Sequence, residues 1–240
     1  MLGFKKKFSK LSTKEKRDEY SGVIKAIKSA CHSFQDHGTQ PVTYNLKRSH
    51  FYWFSDTFIL FSEEFSSETL NIKGEELIFD FFHSAKMSFL RFLHLGFPLR
   101  GGIDYGEFIA DPERNIFLGQ ALINSYRMSE KHKWAGISLT PECSKFVKKY
   151  KKLDDMFIDY NVPTKWNKPK QLKVIDWPND RSIIHRSEEP DEYVRNQFLQ
   201  YCTTTDGRVE GYLKNTIDFL NKRLQENRNC NKRLSLDYRW

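Results

Sequence analysis

The run FYWFSDTFILF, residues 51–61, constrains this chain more than any other stretch. Two apolar segments, Phe51 to Phe54 and Phe58 to Phe61, are broken by Ser55-Asp56. Aromatic and branched residues favour a pleated, half-buried surface, so the β-rich stretch from about Val42 to Phe61 predicts two strands joined as a hairpin. A long helix is predicted next, over about Gly74 to Leu95, with Ile78, Phe81, Phe82, Ala85, Phe89, Phe92 and Leu93 on one stripe. Gly96 suits the C′ position, and Pro98 prevents continuation.

Before the hairpin, Ser12-Thr13-Lys14-Glu15 reads as a capping box. Tyr20, Val23, Ile24, Ile27, Cys31 and Phe34 follow at helical spacing, and this first helix ends near Gly38. After the long helix, LRGGIDYGEFIA reads as a strand interrupted by glycines. A turn at Asp111-Pro112 leads to a short strand from Asn115 to Leu118, then a helix from Gly119 to about Lys133. Gly136 to Thr140 is predicted as a strand, and Pro141 to Tyr150 as a short helix behind a Thr cap. Beyond Lys151 a Pro- and Lys-rich loop precedes the strand Leu172 to Trp177, and two helices, about 190–202 and 207–225, follow. This interleaving predicts an α+β sandwich with helices on one sheet face. No opening strand precedes the first helix.

Composition excludes several classes. The 240 residues are 39% hydrophobic and 15% aromatic, with 20 Phe, too apolar for a disordered chain. A mean hydropathy of −0.66, with no apolar run near ~18 residues, leaves no membrane span and no membrane partner. The opening MLGFKKKFSK has basic residues but no apolar core behind them, so it does not read as a secretory signal. Cys31, Cys143, Cys202 and Cys230 are scattered without a CxxC pair, which gives neither a disulfide framework nor a zinc site and fits the cytoplasm.

The net charge of +8 raises a nucleic-acid reading. Residues 1–30 hold 9 basic and 3 acidic residues, 31–144 hold 10 and 14, and 145–240 hold 20 and 14. The middle of the chain, richest in motifs, is acidic. A groove tracking phosphates needs clustered Lys and Arg there, so no nucleic-acid partner is expected.

Three features could carry chemistry. Asp56, at a tight connection between apolar strands, is either an Asx-turn residue or a rigidly held carboxylate ligand for a hard divalent cation. The glycines of RGGIDYG mark either a bulge or close helix approach, or a backbone lying flat beneath a ligand or partner subunit. Asn124 and Arg127, three apart on the helix opened by Gly119, are either a solvated helix surface or groups that reach a ribose and its phosphates.

In this order, FSDTFILF, LRGGIDYGEF, GQALINSYRMSEKHKWAGISLTPE and LKVIDWP resemble the class III nucleotidyl cyclases over roughly residues 1–180. The likeness is closest to the bacterial pyrimidine cyclases of the Pycsar anti-phage systems. It implies a ferredoxin-like α+β catalytic domain with a mainly antiparallel central sheet, the first strand missing, and a C-terminal helical extension over 181–240. It implies a head-to-tail homodimer converting UTP or CTP to the 3′,5′-cyclic monophosphate and pyrophosphate with two Mn²⁺ or Mg²⁺ ions.

Carried over residue by residue, the resemblance makes Asp56 a metal carboxylate, with the backbone of Met1 as a further metal contact. Gly3 and Phe4 would cradle phosphates, His50 and Tyr52 would stand where the base is read, and Arg127 would stabilise the transition state. The family's Asn stands four residues before its Arg, which here is Ile123; Asn124 is one step, about 100°, away. The family's first metal Asp would directly precede Met1, so the expectation is a chain that begins upstream with a D-M-L-G-F motif. An inert pseudo-cyclase that binds nucleotide or a protein is the alternative, and an RNA-binding ferredoxin-like module a further one.

Overall fold

The computed structural model describes residues 49–54, 57–62, 64, 67–165, 168–184, 189–201 and 207–237. The predicted first helix and the site residues Met1, Gly3, Phe4 and Asp56 lie outside them.

The predicted hairpin is present. β1 (Ser49–Phe54) pairs antiparallel with β2 (Thr57–Ser62), His50 opposite Phe61 and Tyr52 opposite Ile59. Its faces differ in use. Phe51 and Phe58 stack on one another and reach Phe92 of the long helix α1 (Ser67–His94), at 6.2 and 4.3 Å between centroids. Helix α1 starts at Ser67 rather than Gly74 and stops as Gly96 predicts. Gly96 has φ 80°, its N–H meets the carbonyl of Leu93, and the Phe97 N–H reaches back to Phe92, a Schellman closure.

After α1 the chain forms β3 (Arg100–Ile103), then a two-stranded arm of β4 (Ile109–Asp111) and β5 (Ile116–Leu118). Helix α2 (Gln120–Lys131), β6 (Gly136–Leu139) and helix α3 (Pro141–Val147) follow. Thr140 caps α3 as predicted, its hydroxyl accepting from the Cys143 N–H at 3.2 Å. A 3₁₀ turn (Lys151–Met156) leads into β7 (Phe157–Val162), and β8 (Lys170–Ile175) pairs with it along its whole length. The loop expected after Lys151 therefore contains a strand. Asp159 and Asn161 weaken the local strand signal of FIDYNV, and pairing with β8 supplies what propensity does not. Helices α4 (Arg181–Ile184), α5 (Pro190–Tyr201) and α6 (Gly207–Asp237) complete the described chain.

The main sheet has the order β3-β6-β8-β7, with β3 and β6 parallel and the other pairs antiparallel. The fold is mixed α/β, and helices cover both faces of this sheet rather than one. Consecutive strand residues point to opposite faces. Gly102 lies under Ser125 and Met128 of α2, whereas its neighbour Ile103 packs with Leu139, Ile175 and the α1 residues Ile78, Phe82 and Ala85. The reason is that the α2 stripe and the α1 stripe each need an apolar sheet face, and β3 offers one to each.

The helices after residue 180 share the core of the sheet. Phe198, Leu213, Phe219 and Leu220 join one buried cluster with Trp134, Val174 and Trp177. Asp176, at the end of β8, is 2% exposed and takes two hydrogen bonds from Arg223 of α6, at 2.9 and 2.8 Å. Among the described residues no helix is long and apolar enough to cross a membrane.

Candidate functional site

A cleft of about 1070 Å³ opens between the hairpin and the main sheet. Strand β2 lines it with Thr57 to Leu60 and β3 with Arg100 to Ile103, in both cases consecutive residues. A strand that meets a cleft by its face contributes every second residue. Consecutive lining means that the cleft runs between strand edges. Its floor is the apolar side of α1, including Phe81, Phe89 and Phe92, and its rim is α2.

Of the residues singled out by sequence, the cleft brings together Tyr52 and Arg127. Arg127 is exposed and has no hydrogen-bond or ion-pair partner among the described residues. Ile123, one turn earlier, lines the same rim and is 44% exposed. Asn124 does not line the cleft. Its amide donates to Asp104 Oδ2 at 2.8 Å, and its oxygen accepts from Gln120 at 2.8 Å. The difference follows from helix geometry: residues four apart share a face, whereas a one-residue step turns the side chain by about 100°.

Tyr52 is held by the arm. Its hydroxyl hydrogen-bonds the Asn115 side chain, and its ring lies 4.6 Å from that of Phe117. His50, on the same strand face, is exposed and stacks on Phe61 at 5.1 Å, and Phe61 packs on Phe108 and Phe117. The hairpin is thus sandwiched between α1 and the arm. His50 and Tyr52 belong to the arm side.

Gly102 and Gly119 have a packing explanation. A Cβ on Gly102 would enter the Ser125 carbonyl and stand 2.9 Å from Met128 Cβ, so α2 approaches the sheet as closely as it does only because this residue has none. Gly119 has φ 137°, and a Cβ there would stand 2.8 Å from Phe108 Cα. These two positions fix how α2 carries Arg127 to the rim.

Asp104 is the residue that sequence reasoning missed. One carboxylate oxygen accepts from Asn124 and the other from the Thr140 hydroxyl, which also caps α3. It ties α2 and α3 to the end of β3. The available signal was its place directly after the glycine-rich strand. Burial, with Asp104 nearby, pushes the Cys143 thiol up to about 12, so this cysteine stays protonated and inert.

Within the cleft lining, Arg100 pairs with Glu130, and it donates to the Tyr212 hydroxyl at 3.1 Å. His132 is fully buried beside them, with both ring nitrogens unpartnered among the described residues. Burial, then the Arg100 charge, hold its pKa down to about 3.

Among the described residues, no three His, Cys, Asp or Glu side chains converge as a metal site. The expected metal ligands, Asp56 and the Met1 backbone, lie outside those residues. By residue type, Asp56 carries the hard oxygen donor that Mg²⁺ or Mn²⁺ takes. No family model, curated protein or solved structure matches the chain.

Proposed function

We propose that the chain is the catalytic domain of a pyrimidine nucleotide cyclase, converting UTP or CTP to the 3′,5′-cyclic monophosphate and pyrophosphate. The observation that carries this reading is Arg127. It stands exposed and without an ion pair among the described residues, on the rim of a cleft between the glycine strand β3 and a hairpin whose connection contains Asp56. An exposed guanidinium with no ion pair of its own among the described residues is available to a second copy of the chain, where it can stabilise charge developing on an α-phosphate. Two divalent ions held by Asp56 and the Met1 backbone would activate the ribose 3′-hydroxyl and neutralise the triphosphate. The amides of Gly3 and Phe4 would hold the phosphates.

Arg127 would act on nucleotide bound by the partner subunit of a homodimer. Five large apolar side chains left exposed support this assembly: Ile109, Ile116 and Leu118 on the arm, and Ile123 and Tyr126 on α2. Exposed apolar residues, two of them beside Arg127 on α2, are what the centre of an interface presents. A cyclic-nucleotide second messenger in anti-phage defence is the biological role this chemistry would serve.

The second reading, an inert pseudo-cyclase, draws on Ile123. It occupies the rim four residues before Arg127, where the family carries its transition-state Asn, and an aliphatic side chain has no hydrogen bond to give. Incubation with each NTP and Mn²⁺, followed by mass detection of the nucleotide products, separates the two. Cyclic UMP or cyclic CMP is the expected product. NTP binding without pyrophosphate release assigns the pseudo-cyclase, and neither binding nor turnover removes both.

A further inference from the structure

We propose that Tyr105, Phe146 and the lysines of residues 145–152 form a binding surface for single-stranded nucleic acid, with Tyr105 as its stacking face. The ring of Tyr105, just after β3, lies on that of Phe146 of α3 with centroids 3.7 Å apart and planes 9° from parallel. Tyr150 meets Phe146 edge-on at 5.5 Å. Tyr150 in turn seats over Gly74 of α1, where a Cβ would come within 3.3 Å of the ring. The result is a cluster of three rings rooted on α1, in which Tyr105 is 52% exposed.

Five of the eight residues from 145 to 152 are lysines, and Lys145, Lys148, Lys149, Lys151 and Lys152 are all exposed. Lys149 Nζ stands 5.9 Å from the Phe146 centroid. Lys152 approaches Glu75 at 3.7 Å; among the described residues the other four have no ion-pair partner. A helix end accounts for lysines, and a core accounts for stacked rings. Neither accounts for a half-exposed ring stacked on Phe146, whose own segment carries five exposed lysines.

Proteins that hold single strands without sequence preference combine a stacking ring, which suits the π-face of any base, with cations placed for the backbone phosphates. A ring that stacks through its open face needs an unstacked base, which a duplex does not offer. Exposed Glu142, Asp154 and Asp155 border the patch and restrict it to a few nucleotides. The acidic balance belongs to residues 31–144; the lysines lie just beyond it, in the basic segment 145–240. Neither Tyr105 nor Phe146 lines the cleft, so the proposal stands independently of the cyclase reading.

The test is fluorescence anisotropy of the full chain with labelled oligothymidylate and oligouridylate of about 20 nucleotides, at about 50 and about 200 mM NaCl. Binding to either is expected, weakening roughly 20-fold across that salt range if about three phosphates are engaged. Tyr105→Ala should weaken binding at least about fivefold with an unchanged melting temperature, and Tyr105→Trp should retain it. The paired change Lys148→Glu and Lys149→Glu should flatten the salt dependence. Failure of both oligonucleotides to bind, equal binding by Tyr105→Ala, or displacement by excess UTP overturns the proposal. So does binding to phosphatidylserine vesicles in place of oligonucleotide, which would assign a membrane surface instead.

Discussion

The side-chain amide of Asn124 donates to the carboxylate of Asp104 at 2.8 Å, while Ile123 and Arg127 on the same helix line the cleft. Asn124→Ala should therefore act first on stability, lowering it by about 1 kcal/mol through the lost hydrogen bond. Urea unfolding measures this, and Asp104→Ala should cost more than Asn124→Ala, because it also takes the acceptor from the Thr140 hydroxyl. A large fall in kcat at an unchanged unfolding midpoint would instead give Asn124 a role in turnover.

Arg127 should show the opposite profile. It is exposed and forms no ion pair among the described residues, so Arg127→Ala should leave the melting temperature in place. Under the cyclase reading it lowers turnover by roughly 100- to 1,000-fold, the usual effect of deleting one group aimed at developing charge. Arg127→Lys should recover little, because an ammonium does not reproduce the planar fork. Wild-type turnover by Arg127→Ala would exclude it from the chemistry.

Gly102 can be tested against another glycine. Gly102→Ala drives a methyl into the Ser125 carbonyl and against Met128, and should cost about 3 kcal/mol. Gly106→Ala meets only the Ala121 methyl, at 3.9 Å, and should be tolerated. Equal unfolding midpoints for the two would mean that α2 does not need this approach.

His132 should make stability fall in acid. Its folded pKa, about 3, lies below the ordinary value of 6.5, so both states are neutral at pH 7. As pH falls below 6.5 the unfolded chain takes up a proton that the folded chain refuses. The loss is about 1.4 kcal/mol per pH unit until the folded pKa is reached, or about 2 kcal/mol at a pH of about 5. His132→Phe should remove that share of the pH dependence. Identical slopes for variant and wild type would show that the ring takes up a proton without cost.

Asp176 and Arg223 hold α6 to the end of β8. Arg223→Ala leaves a buried carboxylate without its cation and should cost about 3 kcal/mol. Asp176→Asn in that background should recover part of the loss, since it removes the uncompensated charge. Recovery is read from the same unfolding curves, and its absence would mean that the pair contributes packing rather than charge.

Much of the local structure was legible in the sequence. The β1–β2 hairpin, the Gly96 helix stop, the Thr140 cap and the glycine opening α2 all follow from rules that act within a few residues: side-chain periodicity, turn chemistry and capping. The cleft position of Arg127 was legible only as a helix face. The strand β7 was not legible, because Asp159 and Asn161 suit a strand only when β8 pairs with them. Gly102 offered two readings, and the close approach of Ser125 and Met128 decides for packing.

What the chain determined by itself is therefore most of its elements and their order, with β7 and the division of β3 from β4 left to tertiary pairing. Tertiary structure alone decided which side chains meet: Asp104 with Asn124 and Thr140, twenty and thirty-six residues on, and Tyr105 with Phe146. The physical reason is range. Propensity and capping are set by neighbours along the chain, whereas a hydrogen bond or a ring stack depends on where packing brings distant residues to rest.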